Sequence, residues 1–351
     1  MSYLQQISTV PFPGDVPTAE LKTLTLSKLL AGDVDESSHL FKACTTSGFF
    51  LLDLRGTPSG EELLQNGKDI IELSHTLFNL ELSEKLKYSA SLKNHYGYKP
   101  MGISKVDANG TPDRCEFWGI SKDDAIGNHS PTPWPPTIVE NRPLLKSFAT
   151  QCHDLCLHIL GHFEQNLHIS EGQLTSLHRS FKPSADQIRM TKFAAQPGID
   201  RRPSLVPHTD IGTLTLVWNV LGGLQILPAG APSNADEYWE FVKPKEGCIV
   251  VNVGDAMVKF TNGLARSNLH RVNYAPGEQA KHERHSLVYF LRPEDEVKMV
   301  ELEGSDVMNY EEKEKNEVIY NVKDWVQMRF DQLREGGGVV ASSGGVFDNN
   351  K

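Results

Sequence analysis

Apolar positions fall at helical spacing through much of the first half of the chain, and at alternate or consecutive positions in short runs through the second. The stretch "AELKTLTLSKLLAGDVDESSHLFKACTTSGFFLLDL" predicts a short strand, a helix through Ala43 and a strand over 48–54. "SGEELLQNGKDIIELSHTLFNLELSEKLKYS" predicts a helix capped by Ser59, with acids in its first turn. "NRPLLKSFATQCHDLCLHILGHFEQNLHI" predicts a longer amphipathic helix whose stripe carries Leu145, Phe148, Cys152, Cys156, Ile159 and Phe163. One apolar face per helix implies packing against a sheet.

From Gln187 the pattern switches to "QIRMTKFAA", "GTLTLVWN", "GLQILP", "YWEFVKP", "CIVVNVG", "NLHRVNY" and "HSLVYFLRP". Short strands separated by glycine and proline predict a jelly-roll sandwich or barrel, so the fold class is mainly β with flanking helices. A mostly helical part over 1–186 packs on a core block over 187–295, and a helical part follows over 296–336. No internal repeat or dividing linker stands out, so 1–336 reads as one domain. The glycine-rich remainder, 337–351, is low in complexity and expected to be disordered.

Charge narrows the partners. A formal net charge of −10 argues against nucleic acid or an anionic membrane, which need a basic face. Cys44, Cys115, Cys152, Cys156 and Cys248 are odd in number and widely spread, as expected of reduced thiols. "MSYLQQISTVPFPGDV" has no basic segment followed by an apolar one, and no apolar run approaches the roughly 18–20 residues of a membrane span. The expectation is a cytoplasmic enzyme with a small-molecule substrate; the oligomeric state is open.

"VPHTDIGTLTLVWN" sets His208 and Asp210 two positions apart at the mouth of an apolar run. Read as a strand, it turns both to one side, where burial without a partner is costly and a divalent metal would compensate. His270, in "SNLHRV", follows a strand and turn able to return the chain beside that pair. Two histidines and a carboxylate are the donor set of non-haem Fe(II) oxygenases, which leaves coordination positions for a co-substrate and dioxygen. Further on, "RHSLVYFLRP" puts Arg284 and Ser286 on one strand face. A guanidinium fork suits a carboxylate, so a dicarboxylate could chelate the metal at one end and be gripped by Arg284 at the other. "CHDLCLHILGH" suggests zinc, but Cys152 and Cys156 fall on the apolar stripe while His158 and His162 lie to one side, which reads as helix packing.

The chain resembles the 2-oxoglutarate- and Fe(II)-dependent dioxygenases of the isopenicillin N synthase-like branch over nearly its whole length. "ACTTSGFFLLDLRG", "VPHTDIGTLTLVWNVLGGLQIL", "GCIVVNVGDAMVKFTNG", "NLHRV" and "RHSLVYFLRP" carry the resemblance in order and spacing. It implies a double-stranded β-helix, iron held by His208, Asp210 and His270, and 2-oxoglutarate held by Arg284 and Ser286. It also implies oxidative decarboxylation to succinate and CO2, with a ferryl species acting on a substrate C–H bond to hydroxylate, desaturate or close a ring. Many members carry asparagine where Thr191 stands and tyrosine where Phe193 stands; Thr191 keeps a hydrogen-bond donor and Phe193 does not.

By the same analogy Tyr98, Arg189, Phe290 and Arg292 are candidate substrate contacts. Two arginines at an apolar mouth point either to a substrate carboxylate or enolic oxygen, or to pairing with acidic neighbours. Two other functions stay open: an iron oxidase of the same branch that does not use 2-oxoglutarate, with electrons from the substrate or ascorbate, and a barrel that binds a ligand without chemistry.

Overall fold

The short apolar runs pair into two facing sheets. The computed structural model describes residues 2–90, 96–104, 110–196, 198, 204–310 and 318–334. Its strands, in chain order, are β1 (Thr23–Thr25), β2 (Phe49–Asp53), β3 (Gly97–Lys99), β4 (Cys115–Ser121), β5 (Gln187–Phe193) and β6 (Leu205–His208). They continue as β7 (Leu214–Asn219), β8 (Leu224–Ile226), β9 (Glu240–Phe241), β10 (Cys248–Val253), β11 (His270–Val272) and β12 (Arg284–Leu291). The larger sheet runs β1-β2-β10-β7-β12-β5-β4-β3 and the smaller β6-β11-β8-β9. This is the jelly-roll arrangement the strand pattern predicts, with the long helices on its outer side.

Alternation of side chains gives the larger sheet two different faces. Phe50, Leu52, Val251, Leu216, Trp218, Leu287, Tyr289, Met190 and Trp118 are buried on the side packed against helices Pro58–Phe78 and Arg142–Leu167. Each such side chain contributes roughly 1.5–3 kcal/mol by leaving water. The helix Pro58–Phe78 comes so close that a Cβ on Gly67 would lie 2.1 Å from Trp218 Nε1. The other face, with Asn252, Thr215, Asn219, Ser286, Arg284, Thr191 and Arg189, looks toward the smaller sheet. Phe49 and Val250 meet Leu224 and Ile226 between the sheets.

Some expectations shift. The cap of the Pro58–Phe78 helix is Thr57, whose Oγ1 accepts from the Gly60 N–H at 3.1 Å, and not Ser59. Pro58 suits the first helical position, so the helix begins two residues earlier and Ser59 falls inside the first turn. The region 1–186 carries the long helices and also supplies β1–β4, half of the larger sheet. "CEFWGIS" hid its strand because Glu116 is buried on the helix side, between Lys85 at 3.0 Å and Lys192 at 2.8 Å, so its polarity does not mark a solvent face. Residues 337–351 lie outside the described residues. Among the described residues no helix is long and apolar enough to cross a membrane.

Candidate metal centre

His208 ends β6 in the smaller sheet, and the chain then crosses to β7 in the larger one. Asp210 therefore sits in the crossover and not on a strand face shared with His208. The turn is held by its own backbone: Asp255 N–H donates to Asp210 O at 2.7 Å and Gly254 N–H to Thr213 O at 3.1 Å. A Cβ on Gly254 would lie 2.1 Å from Gly212 O, so only glycine permits this approach. His270 opens β11 directly opposite His208 in the antiparallel register, with ring centroids 4.3 Å apart.

The ligand atoms of His208, Asp210 and His270 lie within 4.8 Å of one another, and among the described residues no other group of histidine, cysteine or carboxylate side chains has this form. His208 Nδ1 lies 2.8 Å from Val206 O and His270 Nδ1 3.2 Å from Asn268 O. A carbonyl can only accept, so both protons sit on Nδ1 and both Nε2 atoms keep a lone pair for a metal. Asp210 Oδ2 accepts from Thr215 Oγ1 at 2.6 Å and Asn252 Nδ2 at 2.7 Å. Its Oδ1 is left 3.8 Å from His270 Nε2. Burial and the neighbouring His270 bring the His208 imidazole down to about 4. Burial pushes the Asp210 carboxyl up, but His270, His208, Asn252 and Thr215 together hold it below its ordinary value. A neutral His208 imidazole beside a charged Asp210 carboxylate suits ligation of a divalent cation.

Arg284 opens β12 on the face turned toward this centre. Its Nε donates to Gly222 O at 3.0 Å and its Nη2 to Asn219 Oδ1 at 3.1 Å. Nη1 is buried with no partner, and no acid pairs with the guanidinium among the described residues. Burial lowers its pKa to about 10, which leaves it charged at neutral pH. A buried cation lacking a counter-ion fits the distal carboxylate of 2-oxoglutarate. Phe193 lies beneath it, with the guanidinium carbon 5.0 Å from the ring centroid, so the ring supplies a stacking face where a tyrosine would add a hydroxyl. Thr191 and Ser286 stand opposite each other in the next row, and Asn219 is opposite Ser286.

The substrate candidates separate. Tyr98 pairs with Trp118 on the helix side of the sheet, and its hydroxyl donates to Glu116 at 2.5 Å, so it does not reach the centre. Strand parity puts Lys99, and not Tyr98, on the site face. Arg189 and Phe290 lie on the site face. Arg292 follows β12, gives its Nη1 to Ala185 O and its backbone N–H to Asp186 at 2.6 Å, and stacks on Phe290 and Phe330.

Sequence reading missed Asn219, Thr215 and Asn252, although each is a polar residue breaking an otherwise apolar strand. It also missed Tyr3, whose hydroxyl donates to Glu283 O and accepts from His285 N–H, both at 2.9 Å, clamping the backbone on either side of Arg284.

Two facing sheets, a backing helix layer and a two-histidine, one-carboxylate cluster define a jelly-roll oxygenase architecture. Residues 16–137 match the non-haem dioxygenase in morphine synthesis N-terminal model, and 185–293 the 2OG-Fe(II) oxygenase superfamily. The curated 2-oxoglutarate-dependent dioxygenase frbH of Dothideomycetidae sp. (strain 11243) is 32% identical over 325 residues, which cover 91% of this chain and 92% of that one. The 2-oxoglutarate-dependent dioxygenase gloE of Glarea lozoyensis is 29% identical, covering 90% and 89%. A full-length Neurospora crassa protein, solved in complex with alpha-KG, shares the fold at a TM-score of 0.73 and 22% identity, over 90% of this chain and 98% of that one. The chain belongs to the 2OG-Fe(II) oxygenase superfamily and is a 2-oxoglutarate-dependent dioxygenase, an enzyme class that uses Fe(II), 2-oxoglutarate and O2.

Proposed function

We propose that the protein hydroxylates, desaturates or cyclises a small organic molecule at an iron held by His208, Asp210 and His270. Arg284 grips the distal carboxylate of 2-oxoglutarate, with the hydroxyls of Ser286 and Thr191 alongside. The observation that carries the reading is the buried Arg284 guanidinium, with an unpartnered Nη1 and no acidic partner, on the face that looks toward the three ligands. When bound, iron and 2-oxoglutarate supply oxidation of a substrate C–H bond by dioxygen, with succinate and CO2 as co-products.

The chain's own residues do the positioning. Thr215 and Asn252 aim one oxygen of Asp210 inward, and the Val206 and Asn268 carbonyls set the imidazole tautomers. Phe290 and Arg189 line the same face and are assigned to the substrate, whereas Arg292 stacks on Phe290 and donates to the Ala185 carbonyl.

The test is anaerobic reconstitution with Fe(II), followed by addition of 2-oxoglutarate. A weak visible charge-transfer band is expected for the wild type and not for Arg284→Ala. A wild type without the band, or without succinate release coupled to oxygen uptake, overturns the proposal.

A further inference from the structure

Arg189 is a cation without a counter-ion on the site face. It stands two residues before Thr191 and four before Phe193 on β5, so all three side chains share that face. Phe117 from β4 and Phe290 from β12 bracket its guanidinium, with centroids 4.6 and 4.9 Å away. Nη2 donates to Gln187 Oε1 at 2.6 Å, and Nε is buried with no partner. No ion pair reaches it among the described residues.

Its surroundings make that unusual. Burial lowers the Arg189 pKa to about 10, and Arg292, on the same Phe290 ring, pushes the same way. Asp210 opposes this. Asp210 cannot serve as the partner, because Thr215 and Asn252 hold one of its oxygens and the other faces His270. A desolvated cation beside another cation is costly unless an anion joins it.

The co-substrate does not supply that anion. Arg284 is opposite Phe193 in the register, four residues along β5 from Arg189. At about 3.4 Å per residue the backbone positions that carry the two arginines are about 14 Å apart along the sheet. In the proposed site, 2-oxoglutarate uses one carboxylate at Arg284 and the other at the metal. Arg189 therefore needs a third carboxylate, and the substrate is what remains.

We infer that Arg189 is the anchor for a carboxylate on the organic substrate, so that the enzyme takes a small carboxylic acid whose apolar part lies along Phe117 and Phe290. This rests on the metal and co-substrate assignment proposed above. Gln187 aligns the guanidinium, and the two rings exclude water from the pair, which strengthens a charge-assisted bond.

The test uses the full chain loaded anaerobically with Fe(II) and 2-oxoglutarate, and two probes of one shape, phenylacetate and phenylacetamide. Binding is read as a change in the charge-transfer band and as a shift in melting temperature. Phenylacetate is expected to bind at least about tenfold more tightly than the amide, and Arg189→Gln to abolish that difference. Arg189→Lys, which keeps the charge, is expected to retain part of it. The 2-oxoglutarate band should persist in Arg189→Gln, which also shows that the variant is folded. Equal affinity for the two probes, or binding of neither, in the wild type overturns the inference. So does loss of the 2-oxoglutarate band in Arg189→Gln alone, which would give Arg189 to the co-substrate. A wild type that forms no band but still prefers phenylacetate by melting temperature overturns the proposed function and leaves the anchor standing.

Discussion

Arg329, from the C-terminal helix Val322–Arg334, donates to Asp255 Oδ2 at 2.6 Å, and the same oxygen accepts from Thr209 at 2.9 Å. Thr209 lies between His208 and Asp210. A helix remote in sequence thus braces the turn that presents two of the three proposed metal ligands. Both members of the ion pair are buried, so Arg329→Met leaves an uncompensated carboxylate. The expected loss is about 3–5 kcal/mol of unfolding free energy, measured by urea denaturation of the metal-free protein. A variant as stable as wild type would show that Asp255 does not depend on Arg329.

Thr215 and Asn252 hold Asp210, and in the proposed centre they act on the metal through it. Replacing either by an apolar residue of similar size, Thr215→Val or Asn252→Leu, frees the carboxylate to turn. Partners of this kind typically alter metal affinity by about 10–100-fold, and a loss in that range is expected in anaerobic Fe(II) titrations. Wild-type affinity in both variants would show that Asp210 is held by other means.

Phe193 supports Arg284 through its ring face. Removing the ring in Phe193→Ala is expected to weaken 2-oxoglutarate binding by up to about 30-fold, about 2 kcal/mol for a desolvated cation–π contact. Calorimetric titration of the iron-loaded, oxygen-free enzyme reads this directly. Unchanged affinity would mean that Asn219 and the Gly222 carbonyl suffice to hold the guanidinium.

Acid should destabilise the metal-free protein well before its carboxylates protonate. Burial lowers His178 from 6.5 to about 4 and, with His75 nearby, His285 from 6.5 to about 3. The unfolded chain therefore takes up protons that the native state refuses, so stability is full above pH 6.5 and declines as pH falls from 6.5 toward 4. Asp186 and Asp210, both held below the ordinary carboxylate value of 3.8, add their loss only under that pH. Melting temperatures recorded between pH 7.5 and 4.5 should fall throughout the lower part of that range. A flat profile from pH 6.5 to 4.5 would contradict the burial of these imidazoles.

The residues of the proposed metal and co-substrate site were legible because each is marked locally in the sequence. His208, Asp210, His270, Arg284 and Ser286 each sit at the edge of a short apolar run, and few other uses of those residue types fit such places. The substrate side was less legible. Tyr98 and Lys99 are adjacent, and only the pairing of β3 with β4 decides which of them faces the site. Arg189 and Arg292 read alike in the sequence, yet the Arg189 guanidinium lies between two rings and donates to the Gln187 amide oxygen, while that of Arg292 donates to the Ala185 carbonyl.

Hydrophobic spacing by itself determined the helices and most strands, because those depend on neighbours a few positions apart. Tertiary structure alone decided that the turn after His208 crosses between sheets, that Glu116 is an interior charge, and that Tyr3 and Arg329 brace residues hundreds or scores of positions away. Those facts depend on strand register and on which backbones approach closely, and neither leaves a periodic mark in the chain.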